Sequence, residues 1–309
     1  MKRIKQYIMC CMLTILIGIS FLSCERNDTD TGQQASIPDE LPLAIGQLNL
    51  PHKLVTRGTV DTGKSIGFYR TYENGYAPLE NVEGIYSANK WIPKSTINLG
   101  QNIAKLAVYY PYNSSASGGT IPLSAACCDK DESMFLCCKQ FEATNQSIYK
   151  TNKINLILEH VYARLVVTLA RGTDYNVNAK PDWTTLKVQN DGMNISGTYN
   201  PLTNTYPSVS GDNYFEVTDM KDKVLGSTPN PTTDLRIIPF KLAGEKKLKI
   251  TITVGGKAMS VETAIDGDEM KPGTQYNLTI TVNPTALEIT SIETVDWTSS
   301  KVTGEYETN

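Results

Sequence analysis

The sequence predicts an all-β protein of two tandem β-sandwiches, and three observations carry that expectation. Short stretches of period-two alternation recur along the chain, Gly, Pro, Asn and Asp punctuate them, and helical periodicity is scarce. A length of 309 residues with 40% hydrophobic content suits two domains of common size, each with its own core.

The clearest strand sets Leu248, Ile250, Ile252 and Val254 on one face against Lys247, Lys249, Thr251 and Thr253 on the other. Gly255-Gly256 follows, then Met259 and Val261 alternate in turn. A Gly-Gly pair supplies the positive φ values of a two-residue hairpin, so these two strands are expected to be antiparallel neighbours. The same period marks Leu106, Val108 and Tyr110; Leu165, Val167 and Leu169; Leu235 and Ile237; and Tyr276, Leu278, Ile280 and Val282. Their apolar faces can bury a common interior between two sheets. The first sandwich is placed at 41–150 and the second at 151–283, with the boundary in Ala143-Thr144-Asn145-Gln146-Ser147. The tail at 284–309 contains Leu287, Ile289, Ile292, Val295 and Trp297, too apolar for disorder, and is expected to pair with something.

The N-terminus indicates export. Lys2, Arg3 and Lys5 precede an apolar run from Ile8 to Leu22, which has the layout of a secretory signal at 1–23 and is short for a membrane span. Phe21-Leu22-Ser23-Cys24 resembles the lipobox of bacterial lipoproteins, and Cys24 is the expected lipidation site. The alternative is a plain signal peptide with a chance cysteine. Residues 24–40 are polar and without apolar period, as in a solvated tether. A net charge of -3 provides no broad basic field, so nucleic acid is not an expected partner.

Four segments, in their present order, resemble the fimbrillin family, the Mfa-like and FimA-like subunits of type V pili. They are Leu54-Val55-Thr56-Arg57-Gly58; Trp91-Ile92-Pro93 leading into Ala107-Val108-Tyr109-Tyr110-Pro111-Tyr112; Leu156 through Leu165 with His160, Arg164 and Leu165; and Lys271-Pro272-Gly273-Thr274-Gln275-Tyr276 followed by Val295-Asp296-Trp297. The resemblance implies two transthyretin-like sandwiches, export as an outer-membrane lipoprotein, and cleavage by an arginine-specific protease. It places that cleavage at Arg57-Gly58, which would free 41–57 as a removable first strand and open a groove. A strand from another subunit, donated from the C-terminal tail, would fill it, since a sandwich lacking a strand exposes both backbone groups and apolar side chains. The implied function is a structural or accessory fimbrial subunit supporting adhesion. The alternative is a monomeric surface lipoprotein that binds a glycan or a host protein.

Several motifs suggest chemistry. Gly58-Thr59-Val60-Asp61-Thr62-Gly63-Lys64-Ser65 fits the P-loop pattern, but strand-like Ile66-Gly67-Phe68-Tyr69 follows it, where a phosphate site needs a helix N-terminus. A loop between strands explains it better. Once Cys10, Cys11 and Cys24 are set aside, Cys127, Cys128, Cys137 and Cys138 remain, two vicinal pairs flanking Asp129-Lys130-Asp131-Glu132. A hairpin there would bring Cys127 near Cys138 and Cys128 near Cys137, and an oxidising compartment would favour one or two disulfides. Free buried thiols and a four-thiolate zinc site are the rivals, the latter with poor ligand spacing. Only His52 and His160 exist, and His160 falls in an apolar strand, where a hydrogen-bonded core imidazole is expected. No nucleophile elbow, paired-His motif or paired carboxylates stand out, so neither a catalytic residue nor a cofactor is expected.

Overall fold

In the computed structural model, the described residues are 36–49, 65–127, 137–218 and 224–297. They are built from strands, with one α-helix, α1 (Asn145–Tyr149), and a short 3-10 turn at Asp266–Asp268. The all-β expectation holds.

The first sheet has eight strands: β2 (Ile45–Asn49), β3 (Ser65–Arg70), β4 (Leu79–Ser87), β5 (Lys90–Pro93), β7 (Ala104–Tyr110), β10 (Cys137–Ala143), β11 (Ile154–Ile157) and β12 (Glu159–His160). Their order is β11-β2-β5-β4-β3-β7-β10-β12, and a short pair, β1 (Leu41–Pro42) with β6 (Asn98–Leu99), lies beside them. One face of this sheet contributes Ile45, Ile66, Phe68, Trp91, Leu106 and Val108 to a core completed by Leu43, Leu99 and Ile148 of α1. The expected boundary at 143–147 instead holds the start of α1, where the Thr144 N–H donates to Ser147 Oγ at 3.0 Å. Chain beyond it returns to the first sheet as β11 and β12, so this core draws residues as far as Leu158.

The second half packs two sheets face to face. One runs β24-β23-β13-β18-β9, with β9 (Ala126–Cys127), β13 (Ala163–Arg171), β18 (Asn230–Ile237), β23 (Thr274–Val282) and β24 (Leu287–Asp296). The other runs β17-β14-β20-β21, with β14 (Trp183–Gln189), β17 (Tyr214–Val217), β20 (Lys247–Val254) and β21 (Lys257–Ala264). Between them lie Leu165, Val167, Trp183, Leu248, Ile250, Ile252, Leu278 and Ile280, the alternating residues of each strand. The hairpin of β20 and β21 forms in the register the Gly-Gly turn predicts, Val254 opposite Lys257, with φ of 54° at Gly255 and 80° at Gly256. A small pair of β19 (Phe240–Lys241) and β22 (Glu269–Met270) closes one end.

A third core joins the halves. Tyr69, Ala107 and Tyr109 project from the other face of β3 and β7, where they meet Cys138, Tyr162, Tyr199, Ile238 and Trp297. The Tyr109 ring lies over Gly67 of the neighbouring strand, and a Cβ on Gly67 would sit 1.9 Å from that ring, so only glycine fits. Above this layer β8 (Ile121–Ser124), β15 (Ser196–Asn200) and β16 (Thr205–Ser210) form a three-stranded sheet in the order β16-β15-β8. The chain between β7 and β10 therefore pairs twice with the second half, through β8 with β15 and β9 with β18.

Candidate functional site

Of the segment 41–57 expected to be the removable first strand, β2 lies in the interior of the first sheet. β2 runs parallel to β11, with Ile45 opposite Ile154 and Leu48 opposite Leu156, and antiparallel to β5, with Ile45 opposite Trp91. Just before it, the Leu43 N–H donates to Ile97 O at 2.7 Å, and the Ile154 N–H donates to Ala44 O at 2.9 Å. Leu43, Ile45 and Leu48 are buried, at 2%, 0% and 7% exposure. Full burial of such a side chain is worth about 1.5–3 kcal/mol. Taking β2 away would uncover Trp91 and Leu156 and leave facing backbone edges on β5 and β11. That is the geometry of a slot for a strand. Gln47 is further held by its N–H donating to Asn155 Oδ1 at 2.8 Å, which fixes the register against β11.

The tail pairs with its own half. β24 lies antiparallel to β23 as an edge strand, with Leu278 opposite Ile292 and Val282 opposite Leu287. Most of its side chains are exposed, and its two ends hold it: Leu287 enters the second core and Trp297, wholly buried, enters the seam. The Trp297 N–H donates to Gly273 O at 2.8 Å, and its ring stacks on His160 with centroids 3.7 Å apart and planes 12° apart. The Arg164 guanidinium, ion-paired with Asp234, lies 5.7 Å from the same ring. His160 is thus a buried aromatic partner, and its packing against Trp297 was not visible in the alternation around it.

The cysteine hairpin does not form. β9 pairs with β18 of the second half, whereas β10 pairs along seven residues with β7, so the two strands enter different sheets. Each strand pairs with a partner far away in sequence instead of with the other. Cys138 is a free thiol, buried in the seam, with Sγ 3.9 Å from Pro201 O. Burial pushes its pKa up to about 12, so it is held protonated. Cys137 stands opposite Tyr110 and His160 on the neighbouring strands. Cys24, Arg57, Gly58, Cys128 and the tail beyond Trp297 lie outside the described residues. Ser65, the last residue of the P-loop-like pattern, opens strand β3 rather than a helix. Among the described residues no group of three or more His, Cys, Asp or Glu side chains could hold a metal ion.

The fold recurs among solved structures. A candidate cell adhesion protein from Bacteroides uniformis superposes with a TM-score of 0.59 at 19% identity, covering 83% of this chain and 98% of its own. A fimbrial protein from Bacteroides vulgatus gives 0.55 at 16% identity, covering 82% and 99%, and a candidate cell adhesion protein from Bacteroides ovatus gives 0.55 at 14%, covering 83% and 98%. No curated protein matches the sequence. The profile of the fimbrillin-like family matches residues 55–297, most of the chain. The chain therefore belongs to the fimbrillin-like family, as a structural subunit of a cell-surface fimbrium that associates with other subunits, and it is not an enzyme.

Proposed function

We propose that the chain is a fimbrial subunit whose assembly exchanges the first strand of its first sandwich for a strand of another subunit. The observation that carries this reading is the place of β2, flanked on both sides by strands and burying Ile45 and Leu48, with Leu43 buried just before it. An edge strand can leave a sheet with little loss. An interior strand cannot, because its neighbours then expose two rows of backbone donors and acceptors together with an apolar trough. A strand supplied in trans satisfies both, so polymerisation completes the fold.

In this reading Cys24 carries the lipid that delivers the chain to the outer membrane, and an arginine-specific protease cuts at Arg57-Gly58 to free 41–57. The donor comes from the C-terminal tail. Likeness to candidate cell adhesion proteins supports a role in adhesion. Treatment of the purified chain with an arginine-specific protease tests the assembly step: one limited cut at Arg57 and a ladder of oligomers are expected, and Arg57→Ala is expected to block both. A clean cut that leaves a monomer contradicts the exchange and leaves a tethered surface module. Metabolic labelling with a lipid analogue tests the anchor, with Cys24→Ala expected to lose the label.

A further inference from the structure

β2 is not a regular strand. The buried side chains along it and its approach, Leu43, Ile45 and Leu48, stand two positions apart and then three, whereas strict alternation would keep every step at two. A bulge absorbs the extra residue. Ile45 lies opposite Ile154 and Leu48 opposite Leu156, so Gly46 and Gln47 together face Asn155 alone. The neighbouring strand is shaped to this frame: Asn155 Oδ1 accepts the Gln47 N–H, and a Cβ on Gly46 would lie 2.5 Å from Lys153 Cδ and 2.6 Å from Asn155 Oδ1. On the same frame, a strand of unbroken period two would set its third apolar residue at the place of Gln47, which faces solvent.

The same spacing and the same bulge occur in β24. Leu287, Ile289 and Ile292 stand two positions apart and then three, and they lie opposite Val282, Ile280 and Leu278, so all three share the core face. Ile289 faces Ile280 while Ser291 faces Thr279, which leaves Thr290 as the extra residue, just after the second apolar side chain, as in β2. β14 is bulged too, but after its first apolar residue, so Trp183, Leu186 and Val188 run three and then two. β24 is also the less committed strand. It has one neighbour, and its Ile292 is 41% exposed, against two neighbours and 7% exposure for Leu48 in the slot. We propose that β24 of a second copy is the strand the slot takes, running in the direction of β2, parallel to β11, with Leu287, Ile289 and Ile292 in the places of Leu43, Ile45 and Leu48. This rests on the strand-exchange reading and adds to it the residues, the register and the direction. Entering the other way, β24 would present its apolar residues three and then two apart and miss the frame. Thr290 falls at the place of Gly46, where its Cβ makes Lys153 and Asn155 turn aside.

The test uses the chain cut at Arg57, separated from the freed segment in urea and refolded with fluorescently labelled peptide in excess. Peptides of residues 41–49 and 286–296 are both expected to bind. Deleting Thr290 from the second peptide restores period two and is expected to weaken binding about tenfold, the effect of one isoleucine left unburied. Thr290→Gly in the same peptide is expected to strengthen binding, and a peptide with the 286–296 sequence reversed is expected not to bind. All changes lie in the peptides, so the folding of the chain is the same in every arm. Binding of 41–49 without 286–296 overturns the assignment and leaves strand exchange standing; equal binding of the deleted or the reversed peptide overturns the register and direction. Uptake of neither peptide ends strand exchange itself, and this assignment with it.

Discussion

Two outlying strands of this chain, β2 near the start of the described residues and β24 at their end, are bound in opposite ways. β2 lies between two neighbours and buries Ile45 and Leu48, with Leu43 buried just before it. β24 has ten residues, a neighbour on one side only, and a mostly exposed face, with Leu287 and Trp297 holding its ends. Burial, not strand length, sets how much a segment contributes to the fold. The strand proposed to leave is therefore the one whose loss the sheet cannot absorb.

Four measurements break or sharpen this contrast, and the largest effect belongs to β2. Ile45→Asp places a carboxylate at a wholly buried position facing Trp91, and the first core is expected not to fold, seen as loss of tertiary circular dichroism. A folded Ile45→Asp variant would show that β2 is dispensable. Next is Trp297→Ala, which removes the anchor of β24 and the stacking partner of His160; a loss of about 3–5 kcal/mol in denaturant unfolding is expected. If its cost were no greater than that of an exposed residue, the tail would be only loosely held.

The third concerns alkaline pH and the seam between the two halves. Burial raises the pKa of Tyr69 to about 12 from 10.0, and of Cys138 to about 12 from 9.0, and also raises those of Tyr109, Tyr199 and Tyr206. Above the unfolded values the unfolded chain loses protons that the native chain keeps, so stability is complete below about pH 9 and falls as pH rises toward 12. Unfolding midpoints measured from pH 8 to 12 should decline, and Tyr69→Phe should soften the decline. A flat profile would mean that these phenols reach water. The smallest effect is expected from Ile292→Ala on the exposed face of β24, within about 0.5 kcal/mol of the parent.

Local patterning was readable to the extent that each strand faced one core. β20, β21, β13 and β23 alternate cleanly because one face meets the second core and the other meets water or polar neighbours, and the Gly255-Gly256 turn follows from φ alone. β3 and β7 are different: nearly every residue is buried, because Ile66, Phe68, Leu106 and Val108 face the first core while Tyr69, Ala107 and Tyr109 face the seam. The unbroken apolar run from Leu106 to Tyr110 marks a strand covered on both faces, but nothing local says which elements cover it. The cysteine hairpin failed for a related reason, since proximity along the chain suggested a pairing that β7 and β18 supplied from afar. The expected removable strand was read only from family likeness, and nothing local to Ile45–Asn49 shows that it lies between β5 and β11.

The crossing of residues 121–127 into the second half has a mechanical consequence. Two beads joined by one linker would swing under a pull, and the thread between them would take the load. Here tension entering either half is shared by the ladders of β8 with β15 and β9 with β18 and by a common aromatic layer, so the two halves of one subunit are expected to yield together and not at a hinge between them.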